Sequence, residues 1–385
     1  MRREIAVVTG TRAEYGILKP LLEKARDSNS LRLKLIVTGM HLLKKYGLTI
    51  NEIKEDGFKV DAEVPMYEES ETDNAYHGKA LAMGINNFSD ILLQMKPDIL
   101  VVFGDRLEPL AATLAAASLR IPIAHIHGGD KTDSGHIDES IRYSVTKFAH
   151  IHFPPTGECT DRLIKMGEEP WRVYKVGALG LDSVVNHDPI PREKLLARLG
   201  LNHYKPFIVC IFHPVHLEKE TAGEQMHEIL EALKELKIQT VAIYPNNDAG
   251  SEDIIAEIEK YRGLSFIKFF PTLSHSDYVS LLKHTDVLVG NSSSGIIEAP
   301  SLRLPVVNIG SRNVGREHAE NVTFVKPIKK QTIKAIQMAL YDEEHREKVK
   351  QCDNPWGDGR ASYRILKVLS EIRIDKKLLQ KKITY

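Results

Sequence analysis

Short unbroken runs of Val, Ile, Leu and Phe recur along the chain, each closed by glycine or a polar residue and followed by a longer amphipathic stretch. Residues 5–9, 33–38, 99–104 and 121–127 read as strands, with helical patterns such as 17–26 and 107–119 between them. Strands that are apolar on both faces need cover on both faces, and helical crossovers between parallel strands supply it. After the run 173–176 and Gly177-Ala178-Leu179-Gly180, the same alternation resumes beyond Pro189-Ile190-Pro191, with 207–212, 240–244, 266–269, 287–289 and 306–309 as strands. At 385 residues the chain exceeds what one hydrophobic core serves. The expected fold class is α/β, with two doubly wound Rossmann-like domains facing each other across a cleft. Residues 1–178 would form the first domain and 179–361 the second, with the helical tail 362–385 rejoining the first.

Fifty-two basic and fifty-two acidic residues leave no net charge, which argues against a general binder of nucleic acid or of membrane surfaces. An anionic ligand must therefore be held by individually placed groups. Cys159, Cys210 and Cys352 are far apart and show no CxxC spacing, so neither a zinc site nor a disulfide framework is indicated. The four apolar residues 5–8 are too few for a signal peptide, and no run approaches the roughly 20 of a membrane span. The expectation is a soluble, unexported protein of a reducing cytoplasm. The tail 373–382 carries many lysines with Ile374, Leu378 and Leu379 between them, and reads as a solvated amphipathic helix end.

Each motif that could carry chemistry follows an apolar run, at the carboxyl end where doubly wound sheets bind ligands. Gly290-Asn291-Ser292-Ser293-Ser294-Gly295 lies between a strand and a helix start. Small residues, free N–H groups and hydroxyls there make an anion cradle, and Glu298 one turn on could accept from ribose hydroxyls; an ordinary serine N-cap gives the same text. Arg12, after the first strand, could reach a diphosphate or form a surface ion pair. The turn Thr9–Gly16 lacks the GxGxxG spacing of a dinucleotide site. In Gly104-Asp105-Arg106 an acid and a guanidinium emerge together, as a structural tie or as an acid or base beside a phosphate partner. His125, His127, Asp130, His136, Asp138, Glu139 and Arg142 are the densest titratable cluster; acid–base chemistry, helix capping and a metal are all compatible with it. His213, held by Pro214 after a strand, could donate to phosphate, act as a general acid or be a satisfied core histidine. The loop 308–317, with Arg312 and Arg316, suits an anion or a solvated turn.

Taken together, TGTRAEYG, GMHLLKKYG, GDR, HGGD followed by IDESIRYSVTKFAH, FHPV, YPNNDAGS, GNSSSGIIE and IGSRNVGRE resemble, in order and over most of the chain, the hydrolysing UDP-N-acetylglucosamine 2-epimerases of sialic-acid and nonulosonate synthesis. The resemblance implies a GT-B-like fold, a UDP-sugar substrate, and a homodimer or homotetramer; no cofactor is expected, nor a divalent metal, since the neutralising charges are already present on side chains. By position it places Arg12, Arg106, His213, Asn246, Ser292, Ser293, Glu298 and Arg312 on the nucleotide. Asp105, Asp138, Glu139 and Arg142 fall on the sugar side, with His41, His125 and His127 close by. His127 stands where some members have glutamate. The implied reaction turns UDP-N-acetylglucosamine into N-acetylmannosamine and UDP by elimination and hydration. The same chemistry on UDP-2,4-diacetamido-2,4,6-trideoxyglucose, and a GT-B glycosyltransferase, are the rival readings. As adjacent like charges, Asp138 and Glu139 are expected to split their pKa values and supply one acid and one base.

Overall fold

The computed structural model describes residues 2–68, 76–131, 137–246 and 248–385; His136 and Asn247 lie outside the described residues. The chain divides into two compact units. One comprises Met1–Asp130, Ile137–Ser183 and Trp356–Tyr385, and the other includes Val184–Pro355.

In the first unit β1 (Arg3–Thr9), β2 (Leu31–Thr38), β3 (Ala62–Val64), β4 (Ile99–Phe103), β5 (Ile123–Ile126) and β6 (Ile151–Phe153) form one sheet in the order β3-β2-β1-β4-β5-β6. Every pairing is parallel. Side chains alternate across it, so Ile5 and Val7 of β1 join a core with Leu18, Leu22 and Leu35, while Ala6 and Val8 join another with Phe88, Ala111 and Ala115. Each fully buried aliphatic side chain of Val or Leu size contributes about 1.5–3 kcal/mol. The three-residue strands β3 and β6 were not among the expected ones; they are too short to show a period.

The helix Ala361–Glu371 buries Ile365 and Leu369 in the core shared with the helix Arg12–Arg26. The tail beyond it is not the solvated helix end expected. A single turn, Lys376–Leu379, is fixed by the buried Arg172 guanidinium, which donates to the carbonyls of Lys377, Leu378 and Gln380 at 2.8, 2.7 and 3.1 Å. Lys381 Nζ adds an ion pair to the buried Glu168 at 2.6 Å.

The second unit repeats the plan with β7 (Phe207–Ile211), β8 (Gln239–Ile243), β9 (Ile267–Phe270), β10 (Val287–Gly290), β11 (Val306–Ile309) and β12 (Val322–Val325), again all parallel. Its order is β12-β11-β10-β7-β8-β9. Counted from the first strand of each unit, both sheets read 3-2-1-4-5-6, so the doubly wound Rossmann-like architecture is present twice. The strand order reverses between β1 and β4 in one sheet and between β7 and β10 in the other. Crossovers leave these points in opposite directions and open a crevice at the carboxyl ends.

Candidate functional site

At the β1/β4 switch point, Thr11 caps the helix Arg12–Arg26 by accepting the Glu14 N–H at 3.3 Å. Arg12 points outward; its guanidinium is more than half exposed and pairs with Glu52 at 2.9 Å. His41, from the turn after β2, is buried, with Nε2 3.2 Å from Thr9 Oγ1 and Nδ1 2.7 Å from Thr49 Oγ1. Burial pushes its pKa down to about 4, so the ring is neutral at pH 7.

Asp105 follows β4 and meets Arg142 from the helix Asp138–Phe148. Nη2 of Arg142 donates to Asp105 Oδ2, and Nη1 donates to Glu139 Oε2 at 2.8 Å and to the Asp130 carbonyl at 2.9 Å. The arginine is 3% exposed. Burial opposes its charge, but Asp105 and then Asp130 and Glu139 hold its pKa above the ordinary arginine value. Asp138 and Glu139 occupy the first helical turn as the sequence suggests. Glu139 has Arg142 on one oxygen and the Tyr143 hydroxyl on the other, so a cation between Asp105 and Glu139, rather than a neighbouring acid alone, sets its surroundings.

Two histidines of β5 and its end differ. His125 is fully buried; Nε2 donates to the Gly104 carbonyl at 2.8 Å and Nδ1 faces Thr146 Oγ1 at 3.3 Å. Burial pushes its pKa down to about 3, so it is a neutral tie holding the turn before Asp105. His127 has φ +67°, a left-handed conformation uncommon outside glycine. Its ring stacks on Trp356 at 5.9 Å and 17°, lies 5.5 Å from Phe103, and brings Nε2 to 3.5 Å from Asp130 Oδ2.

Arg106 stands between two buried acids that sequence reasoning missed. Nε lies 3.4 Å from Glu108 Oε2, and Nη2 is 3.9 Å from Met40 Sδ. Glu14 is also buried, and burial together with the charge of Glu108 raises its pKa well above the usual carboxylate range. A signal for Glu108 exists: it is the one charged residue in the otherwise apolar helix Leu107–Ser118, directly after a switch-point strand.

At the β7/β10 switch point, Gly290 has φ +124°, and a Cβ there would lie 1.9 Å from the Ile211 carbonyl oxygen. Asn291 then clamps the two strand ends: Oδ1 accepts the His213 N–H at 2.7 Å and Nδ2 donates to the His213 carbonyl at 2.8 Å. Its own carbonyl accepts from Asn313 Nδ2 at 3.0 Å and Arg312 Nη1 at 3.2 Å. His213 Nδ1 accepts the Asn246 N–H at 3.1 Å, which leaves the proton of a neutral ring on Nε2. Burial, with Arg312 adding to it, pushes the His213 pKa down to about 4. Asn246 Nδ2 donates to Asp248.

The serine turn contains the capping alternative as well as the cradle, since Ser292 Oγ accepts the Ser294 N–H at 3.3 Å and keeps its own proton to donate. The helix behind it is a single turn, Ser294–Ile297, passing into a 3₁₀ turn at Ala299–Leu302. Pro300 stops it, so the expected helix start supplies little dipole and the donors are hydroxyls and individual N–H groups. Ser293 heads that turn and Tyr278 donates to Ser294 Oγ at 2.6 Å. Burial raises the Glu298 carboxyl to about pH 7, and Oε2 has no hydrogen-bond partner among the described residues. Burial pushes the Arg312 guanidinium below its ordinary value against the pull of Asp248.

Of the expected residues, His41, Asp105, Arg106, His125, His127, Asp138, Glu139 and Arg142 lie in the first unit together with the outward-pointing Arg12, and His213, Asn246, Ser292, Ser293, Glu298 and Arg312 lie in the second. Asn291 and Asn313, which organise the second group, carry no signal in the sequence beyond their place in turns. Among the described residues no group of three or more His, Cys, Asp or Glu could hold a metal ion, and no helix is long and apolar enough to cross a membrane.

Residues 23–370 match the family model described as UDP-N-acetylglucosamine 2-epimerase. The chain is 36% identical over 384 residues to the UDP-N,N'-diacetylbacillosamine 2-epimerase (hydrolyzing) of Legionella pneumophila, covering 99% of both chains. It is 35% identical over 338 residues to the UDP-N-acetylglucosamine 2-epimerase of Neisseria meningitidis, covering 88% of this chain and 87% of the relative. The solved structure of UDP-GlcNAc 2-epimerase from Neisseria meningitidis bound to UDP-GlcNAc superposes with a TM-score of 0.81 at 21% identity, over 95% of this chain and 99% of that one. At that identity the likeness speaks for the GT-B-like fold of two Rossmann-like domains.

Proposed function

The chain belongs to the UDP-N-acetylglucosamine 2-epimerase family, and we propose that it is a hydrolysing 2-epimerase that turns UDP-N-acetylglucosamine into free N-acetylmannosamine and UDP. The observation that carries this reading is the Arg142 bridge, which gathers Asp105 from the end of β4 and Glu139 from a helix start on one buried cation.

The hydrogen on C2 of a 2-acetamido sugar has no adjacent carbonyl to acidify it, so the C1–O bond to UDP must break first or nearly so. Positive charge then grows on C1 and the ring oxygen, and the C2 proton becomes labile. Donors aimed at the departing diphosphate act on charge that develops in the transition state. Ser292, Ser293, Asn246, the neutral His213 Nε2–H and Arg312 serve this role, with Arg12 and Arg106 as further phosphate cations. Glu298 accepts from the ribose hydroxyls; an unpartnered buried carboxylate oxygen is what such a contact would satisfy. On the sugar, Asp105, Asp138 and Glu139 offset the oxocarbenium charge and move the C2 proton, with Arg142 orienting two of them and His41, His125 and His127 shaping the surroundings. UDP leaves with the C1–O electron pair, the C2–H pair closes a 2-acetamidoglucal, and water adds back at C1 with a proton delivered to the other face of C2.

A second substrate is favoured by the Legionella pneumophila relative, 36% identical and matched over 99% of its length: UDP-N,N'-diacetylbacillosamine, which is the 2,4-diacetamido-2,4,6-trideoxy sugar. Both sugars carry the 2-acetamido group that the mechanism uses, so the difference falls on C4 and C6. Incubation with each nucleotide sugar alone in deuterium oxide, followed by proton NMR, tests the proposal. A free manno-configured sugar with deuterium at C2 is expected, and the larger kcat/KM identifies the substrate. Product without deuterium would rule out elimination, a UDP-linked epimer would rule out hydrolysis, and an unchanged nucleotide sugar would point to a transferase awaiting an acceptor.

A further inference from the structure

Glu108 is fully buried, yet it lies in the first turn of a helix where a carboxylate would ordinarily face water. Two strand-end turns are stripped of side chains to admit it. A Cβ at Gly10, after β1, would lie 2.7 Å from Glu108 Cγ, and one at Gly39, after β2, would lie 2.6 Å from Oε1. Oε1 accepts the Tyr67 hydroxyl at 3.2 Å. Oε2 has no hydrogen-bond partner among the described residues and faces Arg106 Nε at 3.4 Å.

A buried carboxylate with only one neutral donor is costly unless a cation compensates it. We propose that Glu108 positions Arg106: it grips the Nε edge of the guanidinium and leaves the Nη edge, where Nη2 makes the weak Met40 Sδ contact at 3.9 Å, to take an anionic oxygen pair. Glu108 itself touches no substrate and acts through the arginine. The inference rests on the reading above in which Arg106 is a phosphate cation. Glu14 completes the arrangement. Burial and the neighbouring Glu108 raise its carboxyl pKa well above the usual range, which disfavours a second full negative charge beside Arg106. Arg106 is held above the ordinary arginine value: burial opposes its charge most, but Glu108, Tyr67, Glu14 and Asp138 together outweigh it.

The test is a double-mutant cycle on the whole chain, reading UDP affinity by calorimetry, kcat and KM with the nucleotide sugar, and the thermal midpoint. Arg106→Gln and Glu108→Gln are each expected to weaken UDP binding about tenfold or more, and the double variant to lose no more than Arg106→Gln alone. Additive losses, or a Glu108→Gln protein that binds UDP as the wild type does, would overturn the positioning role. Loss of thermal stability with unchanged UDP affinity would assign Glu108 to the core alone. If Arg106→Gln binds UDP normally, the failure lies in the phosphate reading of Arg106, and the proposal goes with it. Should Glu108→Gln not fold, Tyr67→Phe keeps the charge and removes its hydroxyl donor. A drop of about threefold in UDP affinity that disappears on the Arg106→Gln background supports the proposal, and the same drop on both backgrounds defeats it.

Discussion

At the switch point of the first unit, Asp105, Glu108 and Glu139 meet two guanidiniums, Arg106 and Arg142. At that of the second, the ties between strand ends are mostly neutral: Asn291 grips His213, Asn313 and the Arg312 guanidinium grip Asn291, and serine hydroxyls line the turn. Both sheets have the same strand order, so topology decides where strand ends converge and not what is mounted there. Fixed, paired charges suit a place where charge appears and vanishes during a reaction, because they need no reorganisation. On the proposed reading, mostly neutral donors suit a nucleotide that must bind and then leave.

The sharpest way to break this comparison is to remove a carboxylate from the first group. Asp105→Asn and Glu139→Gln are each expected to lower kcat by about 100- to 10,000-fold, while UDP binds within about threefold of wild type. Equal losses in kcat and UDP affinity would erase the division between the groups. A smaller effect is expected in the second unit. Arg312→Gln should weaken UDP binding by about tenfold, or ~1.4 kcal/mol, and solvent deuterium incorporation per turnover should be unchanged.

Smaller still, and specific to pH, is the linkage at Glu298. Its folded pKa of about 7 lies above the ordinary 4.5, so the folded state holds the extra proton. The stability it contributes is complete below about pH 4.5 and is lost as pH rises through about 7. Denaturant titrations at pH 5 and pH 8 should show this decline, and Glu298→Gln should flatten it. Ribose hydroxyls donating to the carboxylate favour its ionised form. UDP binding should therefore release up to one proton below about pH 7 and almost none at pH 9, read from calorimetry in buffers of different ionisation enthalpy. Proton release that is the same at both pH values would remove Glu298 from the ribose.

Legibility in the sequence followed the same divide. Long apolar strands such as β1 and β4 announce themselves, because burial on both faces leaves no polar interruption. β12, whose four residues are only partly buried, does not. Motif residues at strand ends stand out because glycine and polar residues there break the apolar text. Glu14 and Glu108 do not stand out, since an acid in the first turn of a helix has a sufficient dipole explanation and burial is not written in the residue type. The Trp356 ring against His127 was invisible for another reason. It comes from the far end of the chain, where no local pattern ties it to β5.

The return of Trp356–Tyr385 to the first unit has a consequence for biosynthesis. Ile365, Leu369 and Leu378 fill a layer that β1 and the helix Arg12–Arg26 begin, so the earliest-made sheet stays open on one side while the entire second unit emerges from the ribosome. The second unit can close first, and the first is sealed only when its last helix arrives. A chain halted near residue 355 would thus carry a finished second unit beside an unsealed apolar surface, a natural target for chaperones and proteases.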